Sequence, residues 1–205
     1  GMIGFELSQQ LSKKNNVIIF DLPEKIKKLN FDNQNKKIKC YSGSILEKSA
    51  LLNASQKVDA IFHLGAMLGV KNTENDKLKC LEVNVEGTKN VLDACVSSNI
   101  KKIIFASSSE VYGEPNENPI TEQTATQGKT VYGISKLLGE ELCKAYNQKF
   151  GLKYSILRYF NCYGPRQENN FAIPNFIHNV KNNKSPLIFG TGNQLRSYTF
   201  VSDTA

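Results

Sequence analysis

Lys102-Ile103-Ile104-Phe105-Ala106, followed at once by Ser107-Ser108-Ser109, is the stretch on which the fold turns. Its apolar residues run together without polar alternation, the pattern of a short strand covered on both faces. Val17-Ile18-Ile19-Phe20, Val58-Asp59-Ala60-Ile61-Phe62-His63-Leu64 and Tyr154-Ser155-Ile156-Leu157-Arg158 read the same way. Between these runs, apolar residues recur at helical spacing over 78–98 and 132–150. Buried strands alternating with helices predict an α/β fold built on a doubly wound parallel sheet. The asparagine-rich stretch over 30–37 reads as a surface loop. After Asn161 the pattern loosens at Pro165, Pro174, Pro186 and Gly190-Thr191-Gly192, with one helix expected over 174–182.

Composition narrows the class. The chain has 205 residues, 40% hydrophobic and 22% charged, as in an ordinary globular protein able to bury a full core. No apolar run approaches the ~20 residues that a membrane span needs, so no membrane partner is expected. The five cysteines, Cys40, Cys80, Cys95, Cys143 and Cys162, are scattered and form no C-x-x-C pair. That spacing argues for reduced thiols in a cytoplasmic compartment and against a metal site. The net charge of +7 comes from lysines spread along the chain, as on solvated faces, and not from a cluster that would mark a nucleic-acid surface. Arginine occurs only at Arg158, Arg166 and Arg196, in the last quarter of the sequence. Its planar fork suits phosphate, and Arg196 is the strongest candidate for that role.

Tyr132-Gly133-Ile134-Ser135-Lys136 carries the chemistry. A tyrosine and a lysine four apart share one face of a helix. An ammonium beside a phenol favours phenolate and is expected to pull the tyrosine down from its ordinary pKa of ~10. Such a tyrosine can exchange a proton with a substrate hydroxyl. A serine from Ser107-Ser108-Ser109, at the end of a neighbouring strand, would bond the same oxygen.

These motifs resemble, in family order, the extended short-chain dehydrogenase/reductases of the NAD-dependent nucleotide-sugar epimerase/dehydratase family, with a UDP-glucose 4-epimerase-like flavour. Gly1-Met2-Ile3-Gly4 resembles the last two glycines of a G-x-x-G-x-x-G turn, which brings Gly1, Ile3 and Gly4 to a pyrophosphate at a helix N-terminus. The first glycine and its strand are expected before Gly1. Asp21 resembles the strand-end acid that bonds the adenosine ribose and favours NAD over NADP. Gly43-Ser44-Ile45 falls where the family reads Gly-Asp-Ile/Leu beside the adenine, so Ser44 and Ile45 are carried over. Leu64-Gly65-Ala66 resembles the strand end that passes the cofactor ribose and diphosphate, His63 being structural. Asn84-Val85-Glu86-Gly87-Thr88 resembles Asn-x-x-Gly-Thr, which gives Asn84 a supporting role.

Ala106-Ser107-Ser108-Ser109-Glu110-Val111-Tyr112-Gly113 is the sharpest match. It selects Ser108 to complete a catalytic set with Tyr132 and Lys136, places Ala106 at the cofactor and sets Glu110 beside the substrate. Ser109 stands where 4,6-dehydratases carry aspartate, which argues against dehydration. Arg158-Tyr159-Phe160-Asn161-Cys162-Tyr163-Gly164-Pro165 resembles a segment whose asparagine, here Asn161, binds substrate diphosphate, with Tyr159 on the nicotinamide side. Gly190–Asp203 resembles a segment whose arginine, here Arg196, grips a nucleotide phosphate.

The resemblance implies a Rossmann-type NAD domain over 1–160 and the start of a substrate lobe over 161–205 that continues further. It implies NAD-dependent 4-epimerisation of a nucleotide-diphosphate sugar through a 4-keto intermediate, in a homodimer paired through the 78–98 and 132–150 helices. A decarboxylase, reductase or dehydratase on the same scaffold, or a non-catalytic dinucleotide-binding protein, remain open on the sequence.

Overall fold

Short β-branched runs form parallel strands whose C-terminal ends carry the candidate residues. The computed structural model describes residues 1–29, 36–188 and 190–205. The expected loop over 30–37 therefore lies largely outside the described residues. The described chain divides into two compact units, residues 16–159 and residues 1–15 with 160–205.

In the larger unit, β1 (Val17–Asp21) pairs in parallel with β2 (Ile38–Ser42), Asp21 standing opposite Ser42. A second parallel sheet has the order β3 (Ala60–His63), β4 (Lys102–Ser108), β5 (Lys153–Tyr159). The parallel α/β architecture agrees with the expectation from periodicity. The Ile38-Lys39-Cys40-Tyr41-Ser42 strand was not foreseen, because only Ile38 is even half-buried and no apolar run announces it. The core gathers Ile103 and Phe105 from β4 with Val91, Leu92, Cys95, Cys143 and Tyr146 from the helices.

The helix expected over 78–98 is three segments: α5 (Lys77–Leu81), a π turn (Glu82–Glu86) and α6 (Gly87–Ser97), when α2 (Pro23–Ile26), α3 (Lys48–Ala54) and α4 (Val70–Asn75) are numbered before them. A π turn holds an extra residue, and such turns gather at functional sites. Here it turns Asn84 inward, where the side chain is 2% exposed. The long helix α7 (Val131–Phe150) matches its expected span and ends on Gly151 in the left-handed region.

In the smaller unit, α1 (Met2–Ser12) packs against the short α9 (Val201–Thr204), and Gln10 donates to the Ser202 carbonyl at 3.0 Å. Strand β6 (Asn161–Tyr163) pairs in parallel with β7 (Tyr198–Phe200). Helix α8 (Ala172–Lys181) covers the span expected around Pro174. Residues 1–15, read from sequence with the first domain, group here with 160–205; the Arg166 guanidinium stacks 4.0 Å from the Phe5 ring centroid.

Candidate active site

Helix α7 is built to sit hard against β4. Thr130 caps its first turn, accepting from the Gly133 N–H at 3.0 Å, while Glu74 accepts from the Val131 N–H at 2.9 Å. A Cβ on Gly133 would lie 2.6 Å from the Glu110 carbonyl oxygen, and one on Gly139 only 2.3 Å from the Phe105 ring. Glycine at both positions lets the helix meet the end of β4 and the turn at Ser109–Tyr112.

Three side chains, one per turn of α7, reach three successive residues of β4. Tyr132 meets the Ser108 hydroxyl, Lys136 Nζ donates to the Ala106 carbonyl at 2.8 Å, and Glu140 Oε1 accepts from Ser107 Oγ at 2.5 Å. The spacing of four keeps all three on one face. Ser108 also accepts from the Glu110 N–H at 3.2 Å, which closes the turn after the strand. Tyr159 is the residue of β5 opposite Ser108. Ser108, Tyr132, Lys136, Ala106, Glu110 and Tyr159 thus gather around one strand end.

The electrostatics differ from expectation. Burial pushes the Tyr132 phenol up to about 12; the Ser108 side chain draws it down and the Glu110 carboxylate raises it. Burial also drives the Lys136 ammonium down to about 8. The lysine stands 5.7 Å from the Tyr132 ring centroid, with its proton directed at Ala106. The expected phenolate is therefore not the resting form. The site holds a neutral phenol beside an amine that titrates near neutrality.

Asn84 braces the set. Its amide accepts from the Met67 N–H at 2.8 Å and donates to the Met67 carbonyl and to Ser135 Oγ, each at 3.0 Å. Ser135 lies between Tyr132 and Lys136 and donates to the Tyr132 carbonyl at 2.7 Å. His63 is buried and bonded to Thr88 Oγ1 at 2.9 Å, while Thr88 donates to the Asn84 carbonyl at 2.6 Å. Burial, then the Lys136 charge, lower the His63 pKa to about 3, so the ring is neutral and serves structure.

The residues carried over for the cofactor follow the C-terminal ends of the parallel strands in this unit, where open α/β sheets bind ligands. Asp21 closes β1, and Ser44 and Ile45 follow β2. The Ser44 hydroxyl accepts from the Leu46 N–H at 3.2 Å. The Ile45 side chain packs against Gly87 and its carbonyl accepts from Asn90 at 3.1 Å, so it shapes the wall from behind. Leu64, Gly65 and Ala66 follow β3, and a Cβ on Gly65 would have no neighbour nearer than 3.8 Å, consistent with a backbone that a dinucleotide can approach. A carboxylate at the end of β1, small residues after β3 and an amine beside β4 are groups that suit a dinucleotide's ribose and diphosphate.

The remaining predicted residues lie in the smaller unit. Gly1, Ile3 and Gly4 stand at the start of α1. Asn161 donates to the Ser197 carbonyl at 3.3 Å, which brings it beside Arg196, an exposed side chain bonded to the Leu195 carbonyl at 2.8 Å. Among the described residues, no three His, Cys, Asp or Glu side chains converge as a metal centre requires.

Glu140 and its partner Arg158 went unrecognised in the sequence as parts of this site. The signal was present: Tyr132, Lys136 and Glu140 repeat one spacing along one helix face. Arg158 Nε and Nη2 grip the Glu140 carboxylate at 2.9 and 2.7 Å. Burial would raise that carboxyl, but the arginine fork and the Ser107 hydroxyl overcome it and hold Glu140 below the usual carboxylate range.

Known proteins resemble this chain along its whole length. A family described as "NAD dependent epimerase/dehydratase family" matches residues 1–205. The chain is 37% identical over 211 residues to a putative UDP-glucose 4-epimerase of Methanocaldococcus jannaschii, covering 100% of this chain and 68% of that one. It is equally 37% identical, over 212 residues, to a UDP-N-acetyl-alpha-D-glucosaminuronate decarboxylase of Bacillus cytotoxicus, covering 99% and 65%. A UDP-glucuronic acid 4-epimerase from Bacillus cereus, solved with UDP-glucuronic acid and NAD, superposes with a TM-score of 0.88 at 31% identity over 100% of this chain and 68% of that chain. This chain therefore spans about two thirds of the length of these relatives.

Proposed function

We propose a function from one premise: the chain belongs to the NAD dependent epimerase/dehydratase family. In this reading the protein epimerises a nucleotide-diphosphate sugar at C4 through a 4-keto intermediate. NAD, when bound, supplies hydride acceptance and return. The observation that supports the reading is the convergence of Ser108, Tyr132 and Lys136 at the end of β4.

Tyr132 exchanges the proton of the sugar 4-oxygen, and Ser108 bonds the same oxygen to hold it in line. With its pKa near 12 the phenol is a proton donor, the role needed when a 4-keto oxygen is reduced back to a hydroxyl. The opposite half of the cycle needs phenolate, and Lys136, 5.7 Å from the Tyr132 ring centroid on the same helix face, is the cation assigned to favour it. Asp21 takes the ribose hydroxyls, while Gly65 and Ala66 admit the diphosphate past the end of β3. Gly1, Ile3 and Gly4 would face the pyrophosphate at the start of α1. Asn161 and Arg196, gathered by the β6–β7 pair, would bind the diphosphate of the nucleotide sugar.

Incubation with UDP-glucose, UDP-N-acetylglucosamine and UDP-glucuronate tests this. Epimerisation leaves product mass unchanged and inverts C4 by NMR. Loss of carbon dioxide or water in place of inversion would replace the 4-epimerase reading with a decarboxylase or dehydratase.

The reading extends to a cytoplasmic homodimer. Leu78 on α5 is 82% exposed and Leu138 on α7 is 44% exposed, beside a cleft also lined by Leu81 and Val85. Such a patch suits burial against a second copy. Light scattering should give twice the chain mass, falling to one on Leu138→Glu.

A further inference from the structure

We propose that Glu140, clamped by Arg158, is a positioning residue that sets the register of α7 against β4 and so fixes how Tyr132 faces Ser108. The inference rests on the catalytic reading of those two residues and assigns this ion pair a task within it.

The carboxylate sits where a stabilising residue would be apolar. Glu140 is 1% exposed, Ser107 3% and Tyr112 3%. A buried ion pair brings little net stability over a hydrophobic substitute, and its clearest use is to specify one arrangement. The bonds here are directional and close a network. Ser107 Oγ donates to Glu140 Oε1, and Arg158 holds both carboxylate oxygens. Arg158 Nη1 reaches on to the Tyr112 hydroxyl at 3.1 Å, with the guanidinium 5.0 Å from the Tyr112 ring centroid. One carboxylate thereby ties the end of β4, the turn after Ser108, strand β5 and the third turn of α7.

The geometry explains why the tie matters to its neighbours. Phe105 and Ser107, two apart on β4, share the face turned to α7. Phe105 meets the helix at Gly139, a close apolar contact that carries no directional bond. The Ser107–Glu140 bond adds a directional tie beside it, one turn after the Lys136–Ala106 bond. Ser108 is covalently next to Ser107, and Tyr132 is two turns from Glu140 on the same helix face. A shift of α7 along β4 therefore passes straight into the Ser108–Tyr132 separation, and misplacement by about 1 Å costs reaction rate steeply.

The test uses the full-length protein with NAD and whichever of the three UDP-sugars it turns over. Ser107→Ala removes the tie with a minimal change, and Glu140→Gln removes the charge. Both are expected to lower kcat roughly ten-fold or more with KM within about two-fold, since the loss is in alignment and not in substrate contact. The acidic limb of the pH profile should move upward, because the Ser108 interaction that lowers the Tyr132 pKa is weakened. Tyrosinate absorbance against pH, with Tyr132→Phe as the blank, should move the same way. Ser107→Thr, which restores the hydroxyl, should restore kcat. Wild-type kcat and pH profile in Ser107→Ala, with or without a lower melting temperature, would overturn the proposal while leaving the catalytic reading intact. Retained turnover in Tyr132→Phe would instead remove the catalytic reading, and this proposal with it.

Discussion

Lys136 Nζ donates to the Ala106 carbonyl oxygen at 2.8 Å while standing 5.7 Å from the centroid of the Tyr132 ring. An ammonium that is 4% exposed and faces a main-chain carbonyl is held against its preference for water. Its pKa falls from 10.5 to about 8 for that reason. Between those values the folded chain holds a neutral amine while the unfolded chain still binds the proton, so stability rises with pH across that window. Below about pH 8 the burial penalty is present in full, on the order of 3 kcal/mol. Lys136→Met is expected to raise the neutral-pH unfolding free energy by about 1–3 kcal/mol and to flatten its rise between pH 8 and 10.5. The same variant should lose turnover. Denaturant unfolding across this pH range, with an activity assay, checks both.

His63 gives the opposite edge of the stability profile. Burial, then Lys136, depress its pKa from 6.5 to about 3, so its neutral form is the folded form. Stability from this residue is complete above pH 6.5 and drains away as pH falls toward 3, by on the order of 4 kcal/mol. His63→Gln, which keeps a polar group toward Thr88, should lose much of this acid dependence in the same unfolding assay.

Gly133 measures how closely α7 must approach the turn after Ser108. A methyl group there meets the Glu110 carbonyl oxygen at 2.6 Å, and a main-chain oxygen cannot swing aside as a side chain would. Gly133→Ala is expected to cost about 1–3 kcal/mol and to lower kcat more than it changes KM. Thermal unfolding and steady-state kinetics separate the two effects.

Tyr132→Phe keeps the ring and removes the hydroxyl. Bound NAD should be retained, measured by its release on denaturation, while turnover falls roughly hundred-fold to ten-thousand-fold. Unchanged turnover would exclude a proton-transfer role for Tyr132.

Much of this was legible in the chain. Strands β1, β3, β4 and β5 announce themselves as short apolar runs, and in the central β4 Ile103 and Phe105 are buried to 1% exposure or less. Strand β2 does not, since Lys39, Cys40, Tyr41 and Ser42 are exposed and carry no periodic signal. Spacing put Tyr132 and Lys136 on one helix face, and it was Ser107-Ser108-Ser109 upstream, with the family resemblance, that singled them out. The direction of the tyrosine's shift was not readable, because spacing says nothing of how deeply a phenol is buried or which acceptor a lysine finds first. The break in the 78–98 helix was equally hidden, as a π turn keeps helical composition while changing its phase.

That turn, Glu82–Glu86, has a consequence for how the gene can change. Each residue advances a helix by about 100°, so removing one codon here would let the segment relax to a regular coil of helix and swing Asn84 away from Met67 and Ser135. Substitutions on the turn's outer side are cheap, whereas single-codon deletions within it should be purged. Mutational scanning of deletions would show this as depletion of single-residue deletions across 82–86.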